Sequence, residues 1–217
     1  MEMTMDKSPA PKWRKHAFGL TLGMLCGAAG ALAMDSLVDT GAVGEFDGSR
    51  FAAAMMGLIY FVTAAAVGIG LLSPRFGAQF LNVENAEELR DQRRMLAFNA
   101  VSMIAWGVML FVLAVSGTDG VVPPTLALAC VAVLLAGAIV LALAQWRLMD
   151  ELLRSVSSEA GNLAFYLTML FGGGWAILAH LGFAQGPAPL DWMTLFSGAG
   201  LVGAFAAAGR RGLLAPR

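Results

Sequence analysis

The chain has 217 residues, of which 58% are hydrophobic and 13% charged, and its formal net charge is −1. A soluble domain carries roughly a quarter charged residues, so this composition excludes an ordinary soluble globular protein. The near-neutral charge gives no basis for a nucleic-acid partner, and we expect the chain to be surrounded by a lipid bilayer.

Charge-free apolar runs occur six times, each near the ~20 residues that a helix needs to cross ~30 Å of hydrocarbon. They predict an all-α integral membrane bundle of six transmembrane helices. The predicted spans are approximately 17–35, 51–73, 95–117, 125–146, 160–183 and 192–209. A cytoplasmic basic tail over 1–16 precedes this transmembrane domain of 17–209, and a cytoplasmic tail over 210–217 follows it.

The basic residues predict the orientation of the bundle. Thirteen of the fourteen Lys and Arg residues fall in the N-terminal tail, the second and fourth connections and the C-terminal tail, and only Arg50 falls in an odd-numbered connection. Positive charge of this kind collects on the cytoplasmic side of membrane proteins. We therefore predict a multi-pass protein of the bacterial inner membrane with both termini in the cytoplasm.

The first span has two readings. Its basic start, its apolar run and the small residues of Ala31-Leu32-Ala33 are also features of a secretory signal with a cleavage site. Cleavage would leave five spans in the same orientation. We expect an uncleaved helix, because the second span follows closely.

Small residues recur every four positions in the first and last spans. Such stripes let another helix backbone approach closely, and they predict two helix-packing surfaces that could meet and close the bundle. Their residues are Gly19, Gly23, Gly27 and Ala31 in the first span, and Ala199, Gly203 and Ala207 in the last. The partner of each stripe, in the same chain or in another, is left open.

Both longer cytoplasmic connections are predicted to carry helical extensions. Residues 85–94 are expected to form a capped helix that leads into the third span. After Arg147 the fourth span continues beyond the membrane, with Asp150 paired to Arg154, until a break near Ser157-Ser158.

This fourth-span extension has an apolar stripe that is the predicted partner surface. Its residues are Leu148, Met149, Leu152, Leu153 and Val156. The two alternatives are that the stripe is buried against the helix over 85–94 or on the membrane interface. In the partner reading, the stripe would receive another protein or a second copy of the chain.

The same region carries a family resemblance. Arg147-Leu148-Met149-Asp150-Glu151-Leu152-Leu153-Arg154, followed by Glu159-Ala160 and a span with Ala164-Phe165, resembles a pattern in uncharacterised small proteobacterial polytopic inner-membrane proteins. The resemblance implies a bacterial membrane protein of unassigned role. It carries over no catalytic, binding or cofactor residue.

Two further features lie inside the spans. Gly172-Gly173-Gly174, near the middle of the fifth span, predicts either a hinge or a close helix contact. A set of polar side chains is expected to supply hydrogen bonds between helices, with a substrate pocket as the alternative. It comprises Tyr60, Thr63, Asn99, Ser102, Trp106, Tyr166, Thr168 and Ser197.

No motif in the sequence indicates catalysis or a cofactor. His16 and His180 belong to opposite membrane faces, so they cannot share a metal or haem. Neither a phosphate-binding glycine loop nor a nucleophile elbow occurs.

We expect no metal and no cofactor, and a non-enzymatic membrane component acting through helix packing and partner interaction. A small-solute transporter or channel is the alternative, followed by a membrane-embedded enzyme with titratable groups converging at one interface, such as Glu159 with Arg94 or Asp150.

Overall fold

The computed structural model describes residues 12–41, 47–72, 93–117 and 120–213. Side-chain surroundings in the first half of the first helix are described only in part. The described chain is helical, apart from its connections and one isolated bridge between Ser116 and Val122. The helices are α1 (Lys12–Asp39), α2 (Gly48–Leu72), α3 (Arg93–Val115), α4 (Pro124–Leu148), α5 (Glu151–Thr168), α6 (Gly174–His180) and α7 (Pro189–Arg210). A π-helical turn, Met169–Gly173, joins α5 to α6 in one continuous rod.

Five spans are long and apolar enough to cross a membrane: α2, α3, α4, the rod from α5 to α6, and α7. The predicted all-α class is confirmed. The five long apolar helices also agree with the prediction of a multi-pass membrane protein. Helix α1 is 28 residues long and is not among these five. The sixth span therefore stays a prediction.

Helices α2, α3 and α7 form the centre of the bundle. The α2–α3 contact is the most extensive, and α7 packs against both helices. A Cβ added to Gly57 would stand 2.9 Å from the carbonyl oxygen of Gly107, and one added to Gly107 would stand 2.9 Å from that of Gly57. The two backbones therefore touch, and only glycine on both sides permits this approach. Met109 and Leu110 are fully buried beside the crossing.

The remaining helices are attached to this centre. Helix α4 packs on α3, α5 packs on α7, and α1 packs on α2. Helix α4 buries the smallest share of the five spans, with leucine and valine side chains open along its length. In water such a face would be unstable, whereas in lipid it is the expected outer surface of a membrane helix.

The connection between α4 and α5 differs from the prediction. Helix α4 ends at Leu148, the backbone extends through Met149 and Asp150, and α5 begins at Glu151 and continues through Ser157-Ser158. The break thus comes about two turns earlier than expected. Its cause is the Asp150 carboxylate, which accepts a hydrogen bond from the backbone N–H of Leu153 at 2.8 Å and caps α5.

The predicted Asp150–Arg154 pair is accordingly replaced. The Arg154 guanidinium donates to the Trp146 carbonyl at 3.3 Å and lies over the Trp146 ring, 5.8 Å from its centroid. These contacts span the turn and tie the start of α5 to the end of α4. Most of the predicted helix over 85–94 lies outside the described residues.

Candidate functional sites

A three-helix node lies within the apolar depth of the bundle, and we define it as Tyr60 of α2, Trp106 of α3 and Ser197 of α7. The indole Nε1 of Trp106 donates to Ser197 Oγ at 2.8 Å, and the Tyr60 hydroxyl donates to the Ser197 carbonyl at 3.1 Å. Ser197 Oγ donates in turn to the Met193 carbonyl at 2.6 Å. Ser197 lies about 12 Å from the start of α7 by helix rise. The expected hydrogen bonds between helices are therefore confirmed for these residues.

The other predicted polar residues do not join the node. Thr63 and Thr168 donate to carbonyls one turn back in their own helices. Asn99 and Tyr166 are exposed, and Ser102 is partly buried with its Oγ lacking a partner in the described structure. Gln145, which the sequence reasoning missed, is also buried with its Nε2 unpartnered there.

The small stripe of α7 lies against α5. Ala199 and Ala207 are buried, and a Cβ on Gly203 would stand 2.5 Å from the Ala160 carbonyl oxygen. Among the described residues this stripe contacts α5 and no contact with the α1 stripe is seen, so the expected closure of the bundle by the two stripes is not confirmed. Helix α5 occupies the place that α1 was expected to take.

The stripe of α1 has a different environment. Gly19 and Gly23 lie on α1, but their surroundings fall outside the described part. Gly27 has no described atom within 4 Å of the position of a Cβ, and Ala31 is half-buried. Helix α1 instead meets α2 through Gly30, whose Cβ position is filled by the Leu58 side chain, and through Met34. The contact face is thus rotated by about 60° from the predicted stripe.

The glycine triplet falls at the end of the π-helical turn. Backbone dihedrals at Thr168, Gly173 and Gly174 stay in the right-handed helical region, so the rod is not unwound at these positions. Gly172 is buried, and a Cβ there would stand 2.5 Å from the Trp192 ring and 2.7 Å from Leu195. Gly173 and Gly174 face open space. A close contact exists at Gly172, and motion at the triplet stays a prediction.

The predicted partner surface is divided by the turn. Leu148 ends α4, Met149 lies in the turn, and the rest belong to α5. Leu148 and Leu152 are about half exposed, at 49% and 47%. The hydroxyl of Ser157 contacts the Met149 sulfur at 3.7 Å. No residue of this surface forms part of the bundle's buried core, among the residues described.

Two clefts lie at opposite ends of the bundle. The first, about 460 Å³, is bounded by α2, α3 and α7 near Arg50, Ser116 and Met193. Asp47 caps α2 there by accepting from the Arg50 N–H at 2.8 Å. The second, about 430 Å³, lies between α5 and the end of α7.

The second cleft contains two ion pairs. Glu159 is 3.4 Å from Arg210 and 3.3 Å from Arg211, whose Nη2 also donates to Ser155 Oγ at 2.9 Å. The sequence reasoning expected Glu159 beside Arg94 or Asp150, and it missed both actual partners. Proximity of residues about fifty positions apart follows from α5–α7 packing, which the sequence alone does not reveal.

No three His, Cys, Asp or Glu side chains within the described ranges are grouped as metal ligands. Comparisons with protein-family models, with curated proteins and with solved structures find no match. The geometry of the described residues is consequently the basis for any functional assignment.

Proposed function

We propose that this protein is a six-span, non-enzymatic component of the bacterial inner membrane, with both termini in the cytoplasm, that acts by packing against a partner helix. The observation that supports it is the environment of Gly27 on the α1 stripe. Gly27 faces no described atom within 4 Å, while the Cβ position of Gly30, three residues further on and about 60° around the helix, is filled by Leu58.

Two crossings in the bundle show what a small residue can do in this chain. Gly57 contacts Gly107, and Gly203 contacts Ala160, in each case bringing two backbones together. A glycine in a membrane helix has no side chain to contact lipid, and close contact with another helix compensates for this loss. At Gly27 no such contact is made by the described residues, and a helix from a second copy or from another protein would supply it.

The experiment compares Gly27→Leu with Gly30→Leu. We expect Gly27→Leu to keep the melting temperature of the solubilised chain and to lose a partner that co-purifies from native membranes in mild detergent. Gly30→Leu should lower the melting temperature, because its side chain would overlap Leu58. Mass spectrometry and oligomer size identify the partner as a second copy or another protein. A fall in stability with an unchanged set of partners for Gly27→Leu would show that the stripe is internal.

The proposed topology follows from the thirteen-to-one division of basic residues. In a background with both native cysteines replaced, Gly186→Cys should react with a membrane-impermeant thiol reagent in intact cells. Ser157→Cys should react only after lysis. The reverse pattern would overturn the orientation, and labelling of both positions on one side would not fit an odd number of spans between them.

A small-solute transporter is the second candidate, and the π-helical turn at Met169–Gly173 favours it, since such turns often occur at functional sites. A transport cycle would open water access to the middle of the bundle. Ser197→Cys, at the buried node, should then react with an aqueous thiol reagent. Under the partner-binding proposal this thiol stays protected while the bundle remains folded.

A further inference from the structure

The cleft between α5 and the end of α7 contains an arginine pair that shares a single carboxylate. Glu159 lies 3.4 Å from Arg210 and 3.3 Å from Arg211. Charge-assisted hydrogen bonds between guanidinium and carboxylate are usually 2.7–2.9 Å long, so Glu159 holds both arginines loosely. One positive charge remains in excess in this trio.

Donors are also in excess in the cleft. Each guanidinium has five N–H groups, and the three recorded contacts to Glu159 and Ser155 use only part of them. The Arg210 side chain is 64% exposed and the Arg211 side chain 38%. Ser158 and Asn162 of α5 add a hydroxyl and an amide to the same wall. Such a cleft matches an anion with several oxygens better than a second carboxylate.

Phosphate fits paired guanidiniums, because each guanidinium can offer two parallel N–H groups and phosphate has enough oxygens to accept from both. We propose that this cleft binds a phosphate-bearing anion, with Arg210 and Arg211 as the main donors and Ser158 and Asn162 as supporting ones. Glu159 keeps the two arginines together when the site is empty and competes with the anion for them.

The surroundings of the cleft favour a phospholipid as the source of that phosphate. Arg210 is the last residue of a helix that is long and apolar enough to span a membrane, so the cleft lies at a membrane boundary. Tyr166 lines the other end of the cleft and packs edge-on against Phe165, and both rings are well exposed. A headgroup beside the arginines would leave its acyl chains beside these rings. This inference is independent of the partner helix proposed for α1.

The test titrates the purified chain with mixed micelles containing phosphatidylglycerol, with micelles containing phosphatidylcholine, and with sodium phosphate, at matched ionic strength. We expect saturable binding of phosphatidylglycerol that Arg210→Gln and Arg211→Gln each weaken about tenfold. Arg93→Gln, which removes an exposed charge at the start of α3, is the matched control and should not change it. Saturable binding of sodium phosphate without a preference for phosphatidylglycerol would support the site with a soluble phosphate as its source.

Glu159→Gln separates ligand binding from a purely structural ion pair. Removing the carboxylate raises the local charge and frees both guanidiniums, so phosphatidylglycerol binding should tighten even if the melting temperature of the empty protein falls. Unchanged or weaker binding in a folded Glu159→Gln variant would overturn the inference. It would also be overturned by equal effects of Arg93→Gln and Arg211→Gln, or by no saturable binding of any of the three probes.

Discussion

Helix α1 and the crossing of α2 with α3 use the same small residues with opposite results. At the crossing, Gly57 and Gly107 bring two backbones into contact. On α1, Gly27 has the more regular four-residue pattern around it, but no described atom lies within 4 Å of its Cβ position. The regularity of a small-residue stripe therefore does not indicate whether it is filled within the chain.

The difference lies in what accompanies the glycines. Beside the crossing, large apolar residues fill the space on either side of the contact, with Met109 and Leu110 almost completely buried. The hydrogen bond from Trp106 to Ser197 then fixes α7 against the same pair. On α1, by contrast, Met24 and Leu32 remain exposed. A filled contact combines glycine with bulky and polar neighbours.

Gly107→Ala is expected to cause the largest loss of stability. The added methyl group would meet the Gly57 carbonyl, which belongs to a helix backbone and cannot rotate away, so we expect a loss of about 1–3 kcal/mol or more in unfolding free energy. Thermal or denaturant unfolding in detergent measures it. Gly68→Ala, on α2 with open space around it, is the control and should be neutral or slightly stabilising. Equal behaviour of the two variants would show that the crossing is not close-packed.

A smaller effect is expected at the π-helical turn. Gly172→Ala would press on the Trp192 ring and on Leu195, but side chains can shift, so we expect a loss of about 1 kcal/mol. Gly173→Ala is the adjacent control, where a methyl group meets open space. Tryptophan fluorescence during unfolding reports on both variants. Destabilisation by Gly173→Ala and not by Gly172→Ala would mean that the triplet acts through backbone freedom and not through its contact with α7.

The helices could be predicted from the sequence because crossing a bilayer requires long charge-free runs. The predicted spans 51–73, 95–117 and 125–146 lie within a few residues of α2, α3 and α4. The α4–α5 turn was misplaced because Asp150 has two uses, as an ion-pair partner within a helix or as a cap at its start, and local spacing does not choose between them.

The sites were less predictable, because they depend on which helices are neighbours. Glu159 meets Arg210 and Arg211 only because α5 packs on α7. One missed signal was present: Ala100, Gly107 and Ala114 recur every seven residues on α3, and all three are buried. A seven-residue repeat of small residues marks one helix face as well as a four-residue repeat does.

The Trp106–Ser197 hydrogen bond of the node is expected to contribute less to the unfolding free energy than either glycine contact. Trp106→Phe removes the indole donor, keeps most of the apolar ring, and leaves Ser197 Oγ still bonded to the Met193 carbonyl. Hydrogen bonds between membrane helices contribute on average about 0.6 kcal/mol, so we expect a loss near that value. A double-mutant cycle of Trp106→Phe with Ser197→Ala isolates the bond, because the coupling should match the loss in Trp106→Phe. Zero coupling would mean that the bond adds no stability to the node.

The smallest effect on stability is expected at the α4–α5 turn, where the proposed partner surface has an apolar stripe outside the buried core. Leu152 is about half exposed in the first turn of α5, and a carboxylate there is favourable near a helix N-terminus. Leu152→Glu should therefore change the melting temperature little, while removing a protein that binds this surface in co-purification from native membranes. Leu148→Glu is the companion variant, since Leu148 is equally exposed but ends α4, where added negative charge is unfavourable. Partner loss in both variants, with a larger fall in melting temperature for Leu148→Glu, would place the partner across the turn. If Leu152→Glu unfolds the bundle, the stripe is part of its core, and α1 would be left as the open surface of this chain.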